Sequence, residues 1–336
     1  MPTLPQLMTP SLIHLPLKPG DSLPGDVAGS NGKTACTVLR AVEDIRRMRG
    51  GSQSHLMRCS DGNYYVVKFQ NNPQHRRILV NELLGTKLAA LLGLPTTAAA
   101  IIEVSGDLIR LTTDLYIETP LSVSRGWSRV PCQPGLQFGS RYPGDPRQLT
   151  VFDFLPDKQV LSASNLNDFV GMLVFDLWTC NTDPRQVIFG RLDTGTPYQL
   201  WMIDQGFCFN GGEWNFPDKP RRNLYDRKVV YEQVSGIETF ERWLKVIESE
   251  IDAQLLLEIA KTIPPEWYEF NPEFLYRLVE QLDSRRGRVR ELLWCARNSN
   301  PLVFPNWIDG LNQVSLPLAK SLPFHSDGFL AISTRR

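Results

Sequence analysis

The chain has 336 residues, of which 42% are hydrophobic and 21% charged, and its formal net charge is +0. This composition is typical of a globular protein that is long enough to form two lobes or domains. The 36 basic and 36 acidic residues balance, which argues against a polyanion-binding surface, so the sequence predicts no nucleic-acid partner.

Cysteine usage and hydropathy predict a cytoplasmic protein. The six cysteines are widely separated and form no CxxC pair, which indicates a reducing compartment and no structural zinc site. The N-terminus lacks the basic start and continuous apolar run of a signal peptide. No apolar stretch approaches the ~20 residues that a bilayer span needs, so we expect no membrane partner.

The first part of the chain is predicted to contain a flexible leader, a short helix and a glycine-rich loop. The leader covers residues 1–40, where prolines recur. The helix is predicted over residues 36–48. The loop that follows reads Gly50-Gly51-Ser52-Gln53-Ser54.

A β-hairpin is predicted directly after this loop. Residues 55–59 and 64–69 are strand-like runs around Asp61-Gly62, a dipeptide that is typical of tight hairpin turns. A turn centred between Asp61 and Gly62 would place Lys68 opposite His55, beside the glycine-rich loop. Backbone N–H groups and one fixed positive charge can together cradle phosphates.

Lys68 has a candidate partner in the next predicted helix, over residues 73–93. Apolar neighbours indicate that the strand carrying Lys68 is buried, so its charge needs an opposite charge. Glu82 lies in the middle of the helix beside its leucine face and would form a Lys–Glu pair of the kind that positions nucleotide phosphates. A solvated Glu82 is the alternative.

The remaining elements follow in order. We predict strands at residues 98–104 and 107–116, then an irregular connection at 117–150 with a lobe boundary near 138–142. In the second lobe we predict a helix that begins at 165–168 and helices at 237–261 and 272–298. Residues 210–226 are predicted to form an activation or substrate segment. Four arginines in the last helix are predicted to form a solvated face: Arg285, Arg286, Arg288 and Arg290. The tail after residue 300 is predicted to be loosely held.

A second hairpin organises the later part of the chain. Its predicted strands are residues 186–192 and 198–203, with Asp183 just before the first and Asp204 just after the second. Pairing of the strands brings both carboxylates to the open end of the hairpin. The residues alone leave three readings: a divalent-metal site, a general base beside a metal ligand, or two aspartates that cap loops.

This order of parts resembles the HipA-like kinases, a bacterial group that includes a serine/threonine protein kinase. The resemblance covers about residues 45–298 and depends on GGSQSHLM, YYVVKF, NELLGTKLAALLGLP, FDLWTCNTDPRQVIF, MIDQGFCF, IPPEWY and RRGRVRELL. It implies an α+β, two-lobed protein-kinase-like fold with an antiparallel-sheet N-lobe and a mainly helical C-lobe. The lobes would be residues 41–139 and 140–300, between the leader 1–40 and a tail 301–336.

The resemblance also implies ATP and Mg²⁺ as cofactors, a protein as phosphate acceptor, and a role for each site residue. Lys68 would hold the α and β phosphates and Glu82 would steady Lys68. Asp183 would accept the proton of the attacking hydroxyl or orient it, and Asp204 would bind magnesium. The phosphate loop would consist of Gly50, Gly51, Ser52 and Gln53.

One position departs from the kinase pattern. Kinases place a metal-binding asparagine five residues after the catalytic aspartate, and Ile188 stands there in this chain. Gln186 or Asn181 would have to supply the amide oxygen. Two alternatives therefore remain: a pseudokinase that binds nucleotide or a partner without turnover, and a small-molecule kinase on the same fold.

Overall fold

The computed structural model describes residues 38–120, 126–191, 195–225 and 227–308. Most of the predicted leader and the end of the predicted tail lie outside the described residues. The strands are β1 (Val38–Arg47), β2 (His55–Cys59), β3 (Tyr64–Lys68), β4 (Ala99–Val104), β5 (Tyr116–Pro120), β6 (Trp127–Pro131), β7 (Gly135–Arg141), β8 (Val151–Phe152), β9 (Gln186–Gly190) and β10 (Gln199–Ile203).

Five of these strands close into a barrel in the order β1-β2-β3-β7-β4. Its neighbouring pairs are antiparallel except β1 and β4, which run parallel and close the ring. Met57, Tyr65, Val67 and Ile102 are buried in one apolar cluster of the barrel. The prediction of an antiparallel sheet was therefore incomplete, because the parallel pair converts the sheet into a barrel.

The first barrel strand corrects the prediction of a helix over residues 36–48. Residues 38–47 form β1, which pairs with β2 on one side and with β4 on the other. Val38 and Val42 are each 45% exposed in this strand. Hydrogen bonding to two neighbouring strands outweighs the local helix propensity of the segment. The strand also shows that residues 38–40 do not belong to a flexible leader.

The predicted register of the first hairpin was wrong by one residue. His55 lies opposite Val67, and Lys68 lies opposite Phe138 on β7. The turn is centred on Asp61, because the N–H of Cys59 donates to the carbonyl of Asn63 at 2.9 Å. Gly62 takes a left-handed φ of 81°. A three-residue turn of this kind replaces the even-numbered turn that the Asp-Gly pair suggested.

Two smaller sheets lie outside the barrel, one with the order β10-β9-β8 and one formed by β5 and β6. The predicted strand at residues 107–116 was also wrong, because Gly106–Leu111 is a helix and β5 begins only at Tyr116. Ser105 caps this helix by accepting a hydrogen bond from the N–H of Leu108 at 3.1 Å. A serine followed by glycine marked a helix start here rather than a turn between strands.

The α-helices are α1 (Ile78–Leu91), α2 (Gly106–Leu111), α3 (Asp157–Val160), α4 (Asp168–Thr179), α5 (Glu241–Lys245), α6 (Ala253–Ala260), α7 (Pro272–Arg286) and α8 (Val289–Ser299). The larger apolar core joins α1 and α4 to the late helices. Within α4, Gly171 allows a close approach, since a Cβ there would lie 2.7 Å from Leu94 Cδ2 and would also meet the Trp243 ring.

Both predicted late helices are interrupted. The region 237–261 consists of a 3₁₀ turn, α5, a π-helical turn at Val246–Glu250, and then α6, whose start is capped by Asp252. The region 272–298 divides at Gly287 into α7 and α8. Apolar residues of α5, α6, α7 and α8 all belong to the larger apolar core.

The predicted solvated arginine face was wrong for Arg285. Its side chain is 5% exposed and donates to the carbonyls of Leu177 and Phe216 and to the carboxylate of Asp218. Arg288 and Arg290 are more exposed and form ion pairs with nearby carboxylates. Arg285 thus joins α7 to the end of α4.

The beginning of the predicted loose tail is packed into the core. Val303 and Phe304 are 2% and 3% exposed, and Trp307 packs edge-on against Phe304 with ring centroids 5.6 Å apart. Among the described residues, none of the helices combines the length and the apolar character that a bilayer crossing requires.

The contact at Gly171 predicts the cost of a single methyl group. Gly171→Ala should lower the free energy of unfolding by about 1–3 kcal/mol, because the methyl must displace the Trp243 ring or α4. Urea unfolding measures this change. Gly287→Ala is the matched control, since nothing lies within 4 Å of a Cβ there, and a loss of stability no larger than the control's would refute the packing argument.

Candidate active site

The hairpin of β9 and β10 carries the two aspartates at its open end. Ile203 lies opposite Gln186. Asp204 directly follows Ile203, and Asp183 lies three residues before Gln186. The two carboxylates are close enough that the charge of Asp204 contributes to raising the pKa of Asp183. The structure therefore brings these predicted residues together.

A buried lysine joins this hairpin to the barrel and to α1. Lys68 Nζ forms ion pairs with Glu82 Oε1 and, at 2.9 Å, with Asp204 Oδ1. Lys68 and Glu82 are 6% and 2% exposed. The second oxygen of Glu82 accepts a hydrogen bond from the N–H of Gln205 at 3.0 Å. The predicted Lys68–Glu82 contact is thus present, and Glu82 is not a solvated helix residue.

The three charges of this cluster influence one another strongly. Burial alone would lower the pKa of Lys68, but the carboxylates of Glu82 and Asp204 outweigh it and raise that pKa, so the ammonium stays charged. Burial raises the pKa of Glu82 despite the attraction of Lys68. Burial also raises the pKa of Asp204, but the positive charges of Lys68 and Arg185 outweigh burial, so the net effect is a lowered pKa. Asp204 therefore holds its negative charge at the edge of the cluster.

The glycine-rich loop connects β1 and β2 and is fixed at several points. The N–H of Met48 donates to the carbonyl of Ser54 at 2.8 Å, and the Asn72 side chain donates to the carbonyl of Ser52 at 2.9 Å. Gly50 and Gln53 take left-handed φ angles of 116° and 48°. The backbone thus adopts a compact turn next to the strand that leads to Lys68.

The side chain of Gln53 contacts β5. Its Nε2 donates to the carbonyl of Glu118 at 2.8 Å, and its Oε1 accepts from the N–H of the same residue at 2.7 Å. The amide therefore mimics the pairing of a neighbouring strand. The predicted phosphate loop can offer backbone N–H groups to a ligand, whereas the Gln53 amide is occupied.

Asp183 is half-buried and contacts the two residues considered as substitutes for the missing asparagine. Gln186 Nε2 donates to Asp183 Oδ2 at 3.0 Å, and the N–H of Asp183 donates to Asn181 Oδ1 at 3.2 Å. Asn181 is 2% exposed. Gln186 is exposed, so its amide is the accessible one of the two.

The pKa of Asp183 is set by burial and by its neighbours. Burial raises it, the hydrogen bond from Gln186 lowers it, and the charge of Asp204 raises it further. The positive charges of Arg185 and Lys68 act in the opposite direction. The net effect is an aspartate with a pKa above its ordinary range, which is the direction expected for a proton-accepting carboxylate.

The described residues contain no group of three or more His, Cys, Asp or Glu side chains arranged to hold a metal ion. Mg²⁺ in kinase sites is commonly bound by one or two carboxylates together with substrate phosphates. The carboxylate of Asp204 and the exposed amide of Gln186 could contribute to such a site, and a cation there would also relieve the repulsion between Asp204 and Asp183. Ile188 lies on β9 opposite Trp201 and offers no oxygen ligand.

A buried ion pair that we did not predict supports the Asp183 loop. Arg185 and Asp176, 4% and 1% exposed, form a two-bond ion pair. Arg185 Nη1 also donates to the carbonyl of Ile203 at 3.0 Å and to Gln205 Oε1 at 2.9 Å. The one signal in the sequence was an aspartate inside the otherwise apolar helix α4.

Asn81 is a second residue that the sequence analysis missed. It precedes Glu82 on α1, is 0% exposed, and contacts the chain after Asp204. The predicted activation or substrate segment begins in this region, and Trp214 is 6% exposed there. Asn223 also donates to the carbonyl of Asn181 at 2.8 Å, so this segment packs against the Asp183 loop.

Comparisons with known proteins find similarity to kinases. The family model of HipA-like kinases matches residues 41–205. No curated protein sequence matches the chain. The crystal structure of the Helicobacter pylori proinflammatory kinase CtkA is similar in fold, with 14% sequence identity, a TM-score of 0.51, and coverage of 78% of this chain and 98% of that chain. A Golgi casein kinase structure is also similar, with 12% identity, a TM-score of 0.43, and coverage of 80% and 75%.

The resemblance inferred from the motifs is thereby confirmed for the part of the chain that carries Lys68, Glu82, Asp183 and Asp204. The similarity to CtkA shows a kinase-like fold of mixed helices and sheets. The chain therefore contains a HipA-like kinase domain, which the family model places at residues 41–205.

Proposed function

We propose that this protein is an ATP- and Mg²⁺-dependent kinase that transfers the γ-phosphoryl group to a Ser or Thr hydroxyl of a protein. The observation that carries the proposal is the buried Lys68, which contacts both Glu82 and Asp204 beside the half-buried Asp183. A lysine with a raised pKa keeps a fixed positive charge at a site where phosphate charge must be held.

The roles of the residues follow from their positions. Lys68 binds the phosphates of the nucleotide, and Glu82 keeps the ammonium group in place. Asp183 orients the acceptor hydroxyl and accepts its proton as the oxygen forms its bond to the γ-phosphorus, with ADP leaving. Asp204 and the exposed amide of Gln186 would hold the divalent cation, which neutralises phosphate charge when bound. Backbone N–H groups of Gly50, Gly51 and Ser52 would line the phosphates. The N–H of Gln53 already donates to the carbonyl of Gly50 at 3.2 Å.

We further propose that the chain forms two lobes, with residues 41–139 as the N-lobe and 140–300 as the C-lobe. The barrel and α1 would form the first, and α4, the β9–β10 hairpin and the late helices the second. The last barrel strand, β7, ends at Arg141, close to this boundary. Lys68 lies on one side and both aspartates on the other, as expected for a nucleotide site between lobes.

A pseudokinase is the second candidate, and Ile188 favours it. The position at which kinases carry a metal-binding asparagine lies in a strand and offers only an aliphatic side chain. Asn181 cannot replace it readily, because its oxygen already accepts from the N–H of Asp183 and the residue is buried. Turnover then requires that Asp204 and Gln186 bind the divalent cation without a further amide ligand.

Nucleotide binding should depend on Lys68. Saturating Mg-ATP at ~100 times its dissociation constant should add ~2.7 kcal/mol to stability, a shift of a few degrees in Tm. Lys68→Met should abolish this shift, measured against the variant's own ligand-free baseline, because the phosphates lose their fixed cation. Lys245→Met, an exposed lysine of α5, should keep it. An equal shift in Tm in all three proteins would show that Lys68 does not take part in nucleotide binding.

Phosphate transfer should depend on Asp183 while nucleotide binding should not. Asp183→Asn should lower the transfer rate by ~10²–10⁴-fold, the usual contribution of a positioned general base, and leave the Mg-ATP thermal shift intact. Asp153→Asn, an exposed aspartate after β8, serves as the control. Transfer to protein fractions and to small metabolites is measured in parallel. Unchanged transfer by the Asp183 variant would contradict its role, and transfer only to metabolites would assign a small-molecule acceptor.

The pH profile should report the environment of Asp183. Its carboxylate accepts a proton only when ionised, so activity is lost as pH falls through its raised pKa. Gln186→Leu removes a hydrogen bond that stabilises the ionised form, so the acidic limb of kcat should move to higher pH. Gln199→Leu, at the other end of the same hairpin, should leave the limb in place. If the acidic limb does not move in the Gln186→Leu variant, the limb does not report the ionisation of Asp183.

A further inference from the structure

One side chain of α1 contacts the segment after Asp204 at four places. Asn81 Nδ2 lies 2.8 Å from the carbonyl oxygen of Gly206, 2.9 Å from that of Cys208 and 2.8 Å from that of Gly211. Its Oδ1 accepts a hydrogen bond from Trp214 Nε1 at 2.8 Å. Three carbonyls can face only the amide NH₂, which fixes the orientation of the side chain.

Residues next to Asn81 contact the same segment. Glu82 accepts from the N–H of Gln205, and His75 Nε2 donates to the carbonyl of Gly206 at 2.9 Å. Arg77 Nη1 donates to the carbonyl of Gly212 at 2.9 Å. The Arg77 guanidinium also lies over the rings of Trp214 and Phe274, at 4.4 and 4.7 Å from their centroids. The N-terminal half of α1 and the residues just before it therefore contact the backbone from Gln205 to Gly212.

The contacted segment has an unfavourable backbone. Asp204, Phe209, Asn210 and Trp214 have left-handed φ angles of 59°, 61°, 59° and 52°. Residues other than glycine avoid this region unless the surrounding structure holds them there. Gly206 adds a close approach, because a Cβ there would lie 2.8 Å from Ile78 Cγ1 and 3.1 Å from Glu82 Oε1.

We propose that Asn81 is a positioning residue that keeps the Asp204 carboxylate at Lys68 by fixing the backbone that follows it. The proposal rests on the proposed kinase function, in which Asp204 is a metal ligand. Asn81 is 0% exposed, and its hydrogen bonds go to three backbone carbonyls and to the Trp214 side chain. It acts through the carbonyls of Gly206, Cys208 and Gly211, while its neighbour Glu82 acts directly on Lys68. The Asn-Glu pair thus aligns the lysine and the aspartate from one helix.

A purely structural role for Asn81 makes a different prediction. If it only fills the core, its loss would lower stability and leave the kinetic constants of the folded protein unchanged. A positioning role changes the affinity for the divalent cation and the rate of transfer in protein that remains folded. Removal of residues that orient metal ligands commonly costs ~10–100-fold in metal affinity or activity.

The experiment compares Asn81→Leu with Asn165→Leu in the full chain. Asn165 is the matched control, since its amide donates to the carbonyl of Leu200 at 3.1 Å and accepts from the N–H of Leu200 at 3.0 Å, away from the segment after Asp204. We expect Asn81→Leu to raise KM for Mg²⁺ and to lower kcat, each by ~10-fold or more, with KM for ATP changed less. Hydrogen exchange of the amides from Gln205 to Trp214 should also become faster. The control should change these quantities less than ~2-fold.

Asn81→Asp provides a second variant of the same shape. The new carboxyl can donate to a carbonyl only when it is protonated. The kinase activity of the Asn81→Asp protein, divided by that of the parent at the same pH, should therefore rise as pH falls. This variant also serves if Asn81→Leu does not fold.

Parent-like KM for Mg²⁺ and kcat in a folded Asn81→Leu protein, or a relative activity of Asn81→Asp that does not change with pH, would overturn the proposal. A parent that binds no Mg-ATP and transfers no phosphate would instead refute the proposed function, and the positioning role with it. Faster exchange at Gln205–Trp214 would then identify Asn81 as a structural contact only.

Discussion

The ammonium group of Lys68 holds three distant parts of the chain together. It belongs to β3 of the barrel, and its two ion pairs reach Glu82 on α1 and Asp204 after β10. A charge this deeply buried is costly unless opposite charges and hydrogen bonds compensate it. The compensation is complete only when barrel, helix and hairpin are in place. The stability of the folded chain and the geometry of the candidate site therefore depend on the same contacts.

Two further buried groups extend this arrangement. Arg185, paired with Asp176, contacts the carbonyl of Ile203 and the side chain of Gln205 from the hairpin side. Asn81 contacts the carbonyls that follow from the α1 side. Asp204 thus lies between two polar anchors, one on each side of the chain. Fully satisfied networks of this kind specify one conformation more strongly than apolar packing does.

The parts of the site that the sequence revealed are those with a local signal. Hairpin turns placed Lys68, Asp183 and Asp204, and the leucine spacing of one helix placed Glu82 beside the core. Each inference needed only neighbours within about one element length. The errors in register and in strand ends were small, because turn chemistry fixes a hairpin to within a residue or two.

The features that escaped prediction depend on partners far away in the chain. Residues 38–47 have local helix propensity, and their strand pairing with β4 involves residues some sixty positions later. The amide of Gln53 is 65 positions from Glu118, and Arg285 is 108 positions from the carbonyl of Leu177. No local sequence pattern predicts such contacts, because pairing between distant segments overrides the local secondary-structure propensity.

The bridge from Gln53 to Glu118 has a thermodynamic consequence for the glycine-rich loop. A loop that is free in solution must lose conformational entropy when it closes around a ligand, and that loss weakens binding. Here two amide hydrogen bonds and the left-handed turn at Gln53 order the loop before any ligand arrives. The entropy of ordering is lost when β5 packs beside the loop during folding, so a phosphate ligand would meet a preorganised loop. Part of the affinity for such a ligand would thereby come from the stability of the contact between the loop and β5.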